Sequence, residues 1–193
     1  RRHIRDDDVH RLKRAVKGLF DFEMAATVEM MKICIETGAD LVTLVPESRE
    51  ELTTEGGLDM KKVRDDFRKR VFPQFKKAGI AISLFVDPEE VDIAIAAELE
   101  AEAVELHTGT YANAETDARR RVELDRLRDA AIQAHELGMK VNAGHGLNFE
   151  NIQPFLDHVP HLADISIGHA LIADALFNGL EQTIRRMADI IAE

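Results

Sequence analysis

Gly144-His145-Gly146 sets an imidazole between two glycines, directly after the predicted strand Met139 to Ala143. A histidine held on a tight turn at a strand end can exchange protons near neutral pH. A hydrogen-bonded structural histidine is the alternative, but packing alone would not require glycine on both sides. Gly168-His169 follows a second predicted strand, Asp164 to Ile167. A glycine there lets backbone approach a ligand closely. A helix opening at His169 would offer unpaired N–H groups and a positive dipole end, which suits phosphate; a plain tight turn is the alternative. Glu23 in Phe22-Glu23-Met24-Ala25 and Glu105 in Val104-Glu105-Leu106-His107 are carboxylates between apolar neighbours. Each either faces a cavity, where desolvation raises its pKa into the range useful for acid–base work, or belongs to a buried ion pair. Glu105 alternates with Val104 and Leu106, which turns it toward an interior where an unpaired charge is costly. Thr53-Thr54-Glu55-Gly56-Gly57 offers two hydroxyls and compliant backbone to a phosphate or a hydroxylated substrate. Its glycines are too few for a P-loop, and an ordinary loop turn fits the pattern equally well.

These groups need strands that end beside one another, and the chain alternates accordingly. Strands are predicted over 19–25, 41–45, 80–86, 103–107, 139–143 and 164–167, from period-two alternation or short apolar runs. Helices are predicted over 6–17, 27–37, 58–78, 88–99 and 115–137, then after Asn151 as a cap, from Gly168-His169 to Gly179, and on to the C-terminus. Gly38, Gly79 and Gly138 are the expected stops, and Pro73 the expected kink. Asp87-Pro88-Glu89-Glu90 reads as a helix start, with Asp87 capping and Pro88 in the first turn. Six strands, each followed by a helix, demand a parallel sheet covered by helices, either an open doubly wound sheet or a closed (β/α)8 barrel. A (β/α)8 barrel typically needs ~250 residues. The expectation is therefore a single α/β barrel domain over 1–193, with about six βα units present and about two missing at the N-terminus, where the chain opens Arg1-Arg2-His3 without an initiator Met.

Composition narrows the function. Twenty-five Lys and Arg against 36 Asp and Glu give a net charge of −11, which argues against general binding to nucleic acid or anionic membrane but leaves room for a locally positive pocket. Cys34, the only cysteine, excludes an internal disulfide and reads as a core thiol. No apolar stretch approaches the ~20 residues of a membrane span, and no signal peptide opens the chain, so a cytoplasmic location is expected. The charge runs at 64–66 and 119–121 read as solvated helix faces. His10, His135, His158 and His161 read as surface or structural residues.

Several blocks together resemble the pyridoxine 5′-phosphate synthase family. They are Val45-Pro46-Glu47, the segment Leu52 to Asp59, Glu105-Leu106-His107-Thr108-Gly109, Val141 to Leu147 and Ile167-Gly168-His169-Ala170, with Arg1-Arg2-His3-Ile4 and Phe22-Glu23-Met24-Ala25 in support. The resemblance implies an octameric (β/α)8 barrel that condenses 3-amino-2-oxopropyl phosphate with 1-deoxy-D-xylulose 5-phosphate. Pyridoxine 5′-phosphate, phosphate and water are the products, and no metal or organic cofactor is implied. It gives Glu23 the role of acid–base carboxylate, His145 that of proton donor, and Glu105 that of transition-state stabiliser. Gly146, Gly168 and His169 match contacts to the aminoketone phosphate, and His3 and Thr53 match contacts to deoxyxylulose phosphate. The family places a further catalytic histidine and a phosphate-binding arginine before the point where this sequence begins, so a chain starting at Arg1 is expected to be inactive alone. Two other readings remain open on the residues: another phosphate-binding barrel enzyme, including a metal-dependent one using His107, His145 and a carboxylate, and a non-catalytic metabolite-binding scaffold.

Overall fold

The computed structural model describes residues 4–47 and 56–192. The elements run α1 (Asp6–Ala15), β1 (Asp21–Met24), α2 (Val28–Thr37), β2 (Leu41–Leu44), α3 (Met60–Asp66), a π-helical turn (Phe67–Val71) and α4 (Phe72–Ala78). They continue β3 (Ala81–Val86), α5 (Glu90–Glu98), β4 (Ala103–His107), α6 (Gly109–Ala112), α7 (Asp117–Glu136), β5 (Lys140–Gly144), α8 (Ile152–His158), β6 (Leu162–Ser166), α9 (His169–Asn178) and α10 (Leu180–Ala192). The strands form one parallel sheet in the order β1-β2-β3-β4-β5-β6, each beside its sequence neighbour. That order is the barrel alternative. A doubly wound sheet reverses its strand order midway.

Strand alternation sorts the residues into two faces. Val42, Leu44, Ile82, Leu84, Val86, Val104 and Leu106 are all fully buried, on the face covered by helices. Burying a side chain of this size stabilises by about 1.5–3 kcal/mol, so this outer layer is the main source of sheet stability. The opposite, concave face is polar. Glu23 registers with Thr43, Thr43 with Ser83, and Glu105 with Asn142, which in turn pairs with Asp164. Among the described residues β1 and β6 each pair on one edge only, so the curled sheet is open between them. Asp164 and Ser166 on β6 are consequently exposed.

Most element ends follow local chemistry. The Thr27 side chain accepts from Met30 N–H at the start of α2, and Gly38 and Gly79 adopt left-handed conformations that close α2 and α4. The helix predicted over 58–78 begins at Met60 and continues past Pro73 to Ala78. Its turn widens just before the proline, with Phe72 N–H donating to Phe67 C=O, which makes room for a ring that would otherwise meet the carbonyl four residues back. Asn151 precedes α8 but its side chain does not cap that helix; it accepts from Asn148 N–H at 2.8 Å and donates to Gly146 C=O at 3.1 Å, bracing the loop after β5. Asp87 does not cap α5 either, whose N-cap is Glu89.

Candidate active site

A cleft of about 2350 Å³ opens at the C-terminal ends of the strands, and Glu23, Glu105, His145, Gly146, Gly168 and His169 all line it. His3 and Thr53 lie outside the described residues, so the structure gives them no position. The remaining strand-end candidates thus share one space, reached from β1, β4, β5 and β6.

Glu23 enters the cleft because Phe22 and Met24, its neighbours on β1, are buried on the other face. It makes no ion pair among the described residues, which favours the cavity-facing reading over the structural pair. Burial lifts its carboxyl above the ordinary range, Asp21 adds to the lift, and nearby His145 opposes it. Glu105 sits deeper, 8% exposed. Burial first, then the charges of Glu23 and Asp21, push its pKa up to about 7. Its Oε2 lies 3.4 Å from the Ser166 hydroxyl, a weak contact that compensates little. Gly144 leaves room for the Glu105 carboxyl here. A Cβ at that position would stand 2.4 Å from Glu105 Oε1 and 3.1 Å from Ser166 Cβ.

His145 adopts φ +84°, an uncommon left-handed conformation for a side chain with a Cβ. Thr108 holds it there. The buried Thr108 hydroxyl lies 2.6 Å from both the Gly144 and His145 carbonyl oxygens, and Thr108 N–H donates to Gly144 C=O at 2.9 Å. The sequence carried no sign of this role for Thr108. The imidazole is exposed to the cleft and lies edge-to-face with His107, ring centroids 5.2 Å apart. At the far side, Gly168 forms the N-cap of α9 with no side-chain cap, and the first helical bond runs from Ile172 N–H to Gly168 C=O at 3.0 Å. The N–H groups of residues 169–171 therefore lack intrahelical acceptors, and a phosphate could take them. Among the described residues no group of three or more His, Cys, Asp or Glu side chains is placed to hold a metal ion. Also among them, no helix is long and apolar enough to cross a membrane.

A parallel barrel sheet with two carboxylates, an imidazole and a helix N-terminus at its C-terminal rim has the layout of a (β/α)-barrel enzyme. The structural likeness agrees on the fold: a tryptophan synthase α-subunit from Pyrococcus furiosus superposes with a TM-score of 0.63 at 15% identity, over 97% of this chain and 72% of that one. The chain belongs to the family described as pyridoxal phosphate biosynthesis protein PdxJ, whose model matches residues 1–193. Its relatives include proteins named pyridoxine 5′-phosphate synthase. That of Chlorobium luteolum is 49% identical over 191 residues, covering 99% of this chain and 80% of the relative. That of Synechococcus is 48% identical, covering 97% and 77%, and that of Salinibacter ruber 46%, covering 100% and 79%.

Proposed function

We infer that the protein is a pyridoxine 5′-phosphate synthase, joining 3-amino-2-oxopropyl phosphate to 1-deoxy-D-xylulose 5-phosphate with release of phosphate and water. The observation that carries this reading is the convergence of Glu23, Glu105 and His145 on one cleft, beside the open N-terminus of α9, in a chain of this family. Schiff-base formation, dehydration and ring closure each move protons between neighbouring atoms, and groups held at fixed separations can do so repeatedly. We assign Glu23 as the acid–base carboxylate and His145 as the proton donor to departing oxygen. Glu105, half-protonated near neutrality, serves the transition state either as a donor or as a charge. Gly146, Gly168 and His169 receive the aminoketone phosphate, and His3 and Thr53 the deoxyxylulose phosphate. No metal or organic cofactor enters the scheme.

The scheme extends to the whole domain. Two further βα units between β6 and β1 would close an eight-stranded barrel of which 1–193 forms six units. Exposed Leu176 and Phe177 on α9, at 80% and 89%, support burial against further protein, in keeping with a homo-oligomer, an octamer by resemblance, in the cytoplasm.

Incubating the purified full-length enzyme with both phosphorylated substrates tests the reading, with pyridoxine 5′-phosphate and inorganic phosphate appearing together. Absence of the ring product with retained binding of either substrate would leave a metabolite-binding barrel instead. The phosphate assignment has its own outcome. His169→Ala is expected to raise KM for the aminoketone about tenfold, the scale of one charge-assisted contact, with kcat changed by less than about threefold. Steady-state kinetics varying that substrate alone would measure it, and an unaltered KM would remove His169 from the phosphate site.

A further inference from the structure

Asp87 stands where the sequence calls for a helix cap, yet it turns the other way. Its Oδ1 accepts from Gly57 N–H at 3.0 Å and lies 2.9 Å from His107 Nδ1. The segment leading into α3, the end of β3 and the end of β4 are thereby tied together. The segment is seated closely at this point. Leu58 N–H donates to Phe85 C=O at 2.8 Å, and a Cβ on Gly57 would fall 2.3 Å from Asp87 N and 2.4 Å from Val86 C.

His107 is 3% exposed. Its ring lies edge-to-face between Phe85, with centroids 5.3 Å apart, and His145, at 5.2 Å. The hydrogen bond from His107, more than any other influence, holds the Asp87 carboxyl below the usual range, so Asp87 is an acceptor and Nδ1 the donor. In the neutral ring this leaves Nε2 as a bare acceptor, and Nε2 is buried with no partner among the described residues. A buried acceptor without a donor is unfavourable, whereas an aromatic ring of the same shape would pack there without that cost. An imidazole is therefore present for its bond to Asp87.

We propose that Asp87 and His107 are a positioning pair for this reaction, in which the carboxylate holds Gly57 ahead of α3 and orients the His107 ring, and that ring sets the orientation of His145. Neither residue acts on substrate directly. A single carboxylate oxygen serves both, so the placement of Gly57 and the alignment of the proton donor depend on one group. The proposal rests on the assignment of His145 as the donor.

Two substitutions in the intact enzyme separate the functions. His107→Asn retains a short amide able to donate to Asp87 but removes the ring against His145. It is expected to lower kcat at least tenfold with both KM values within about twofold. Asp87→Ala removes the tie to Gly57 as well, and is expected to lower kcat similarly and to lower the melting temperature further than His107→Asn does. The double variant is expected to lose no more kcat than the worse single one, since the two residues act as a unit. Asp87→Ser replaces the alanine variant if that one does not fold. In ligand-free enzyme, nuclear magnetic resonance of labelled histidines is expected to show the His145 ring signals shifted in both variants, and this arm needs no turnover. Multiplicative kcat losses, or kcat for His107→Asn within twofold of wild type, would overturn the pairing. A wild-type enzyme that forms no ring product would instead sink the functional reading, while unmoved His145 signals would sink the pair alone.

Discussion

Exchanging Glu23 for glutamine is expected to lower kcat by about a hundred- to ten-thousandfold, the range for removing a positioned acid–base group, while the melting temperature holds or rises. The two effects share a cause. Glu23 stands among Asp21, Glu105 and His145, and burial together with Asp21 disfavours its ionised form. A neutral amide of the same shape removes that unfavourable charge and with it the ability to accept and return a proton. KM should change little, because the assigned phosphate contacts are His3, Thr53, Gly146, Gly168 and His169, and Glu23 is not among them. The wild-type activity should fall on the acid side as Glu23 takes up a proton, and because its pKa is raised that limb lies above the ordinary carboxylate range. The glutamine variant should lack the limb in whatever activity remains. Rates of pyridoxine 5′-phosphate formation across pH, paired with thermal melting, measure both effects. Retention of a tenth or more of wild-type turnover would show that the carboxylate is not the proton carrier.

The parts of this arrangement visible in the sequence are those set by short-range physics. Period-two alternation located β1 and turned Glu23 away from Phe22 and Met24. The same alternation turned Glu105 inward. Glycines after α2 and α4 marked their ends because no other residue enters the left-handed region so readily. The glycines around His145 and before His169 pointed to the strand ends where a barrel gathers its chemistry, and those residues line one cleft. What escaped depends on partners far along the chain. Asp87-Pro88-Glu89-Glu90 satisfies every local rule for a cap, but Gly57 and His107, 30 and 20 residues away, hold the carboxylate instead. Asn151 was diverted by near neighbours instead, Gly146 and Asn148 in its own loop. His107 was legible as a strand-end histidine, but its task was not. The short α6 and the widened turn before Pro73 had no periodic signature to reveal them. His3 and Thr53, named from resemblance alone, lie outside the described residues.

Glu105→Gln is expected to change stability and activity in opposite directions, with pH deciding the size of the first. In the folded chain the Glu105 pKa rises to about 7, against ~4.3 for an unperturbed glutamate. Below both values the carboxyl is protonated in both states and carries no penalty. As pH rises between them the unfolded chain releases a proton that the folded chain retains, so stability is lost throughout this window, and above about pH 7 the loss is constant. At ~1.4 kcal/mol per pH unit over roughly 2.7 units, the full loss is on the order of 4 kcal/mol. Glutamine cannot ionise, so the variant should gain on the wild type progressively from pH 5 to pH 8, by an amount of that order. Denaturant unfolding at the two pH values measures the gain directly, and an equal stability difference at both would show that Glu105 ionises normally. Turnover should meanwhile fall by about tenfold or more, as expected when a preorganised electrostatic group is removed from a water-poor site. A side chain that served only the fold would not be kept ionisable in this position, between Val104 and Leu106 and against Gly144, where an amide of the same volume is the more stable choice. The raised pKa is therefore a stability loss retained for chemistry, and an active, more stable Glu105→Gln enzyme would contradict that inference.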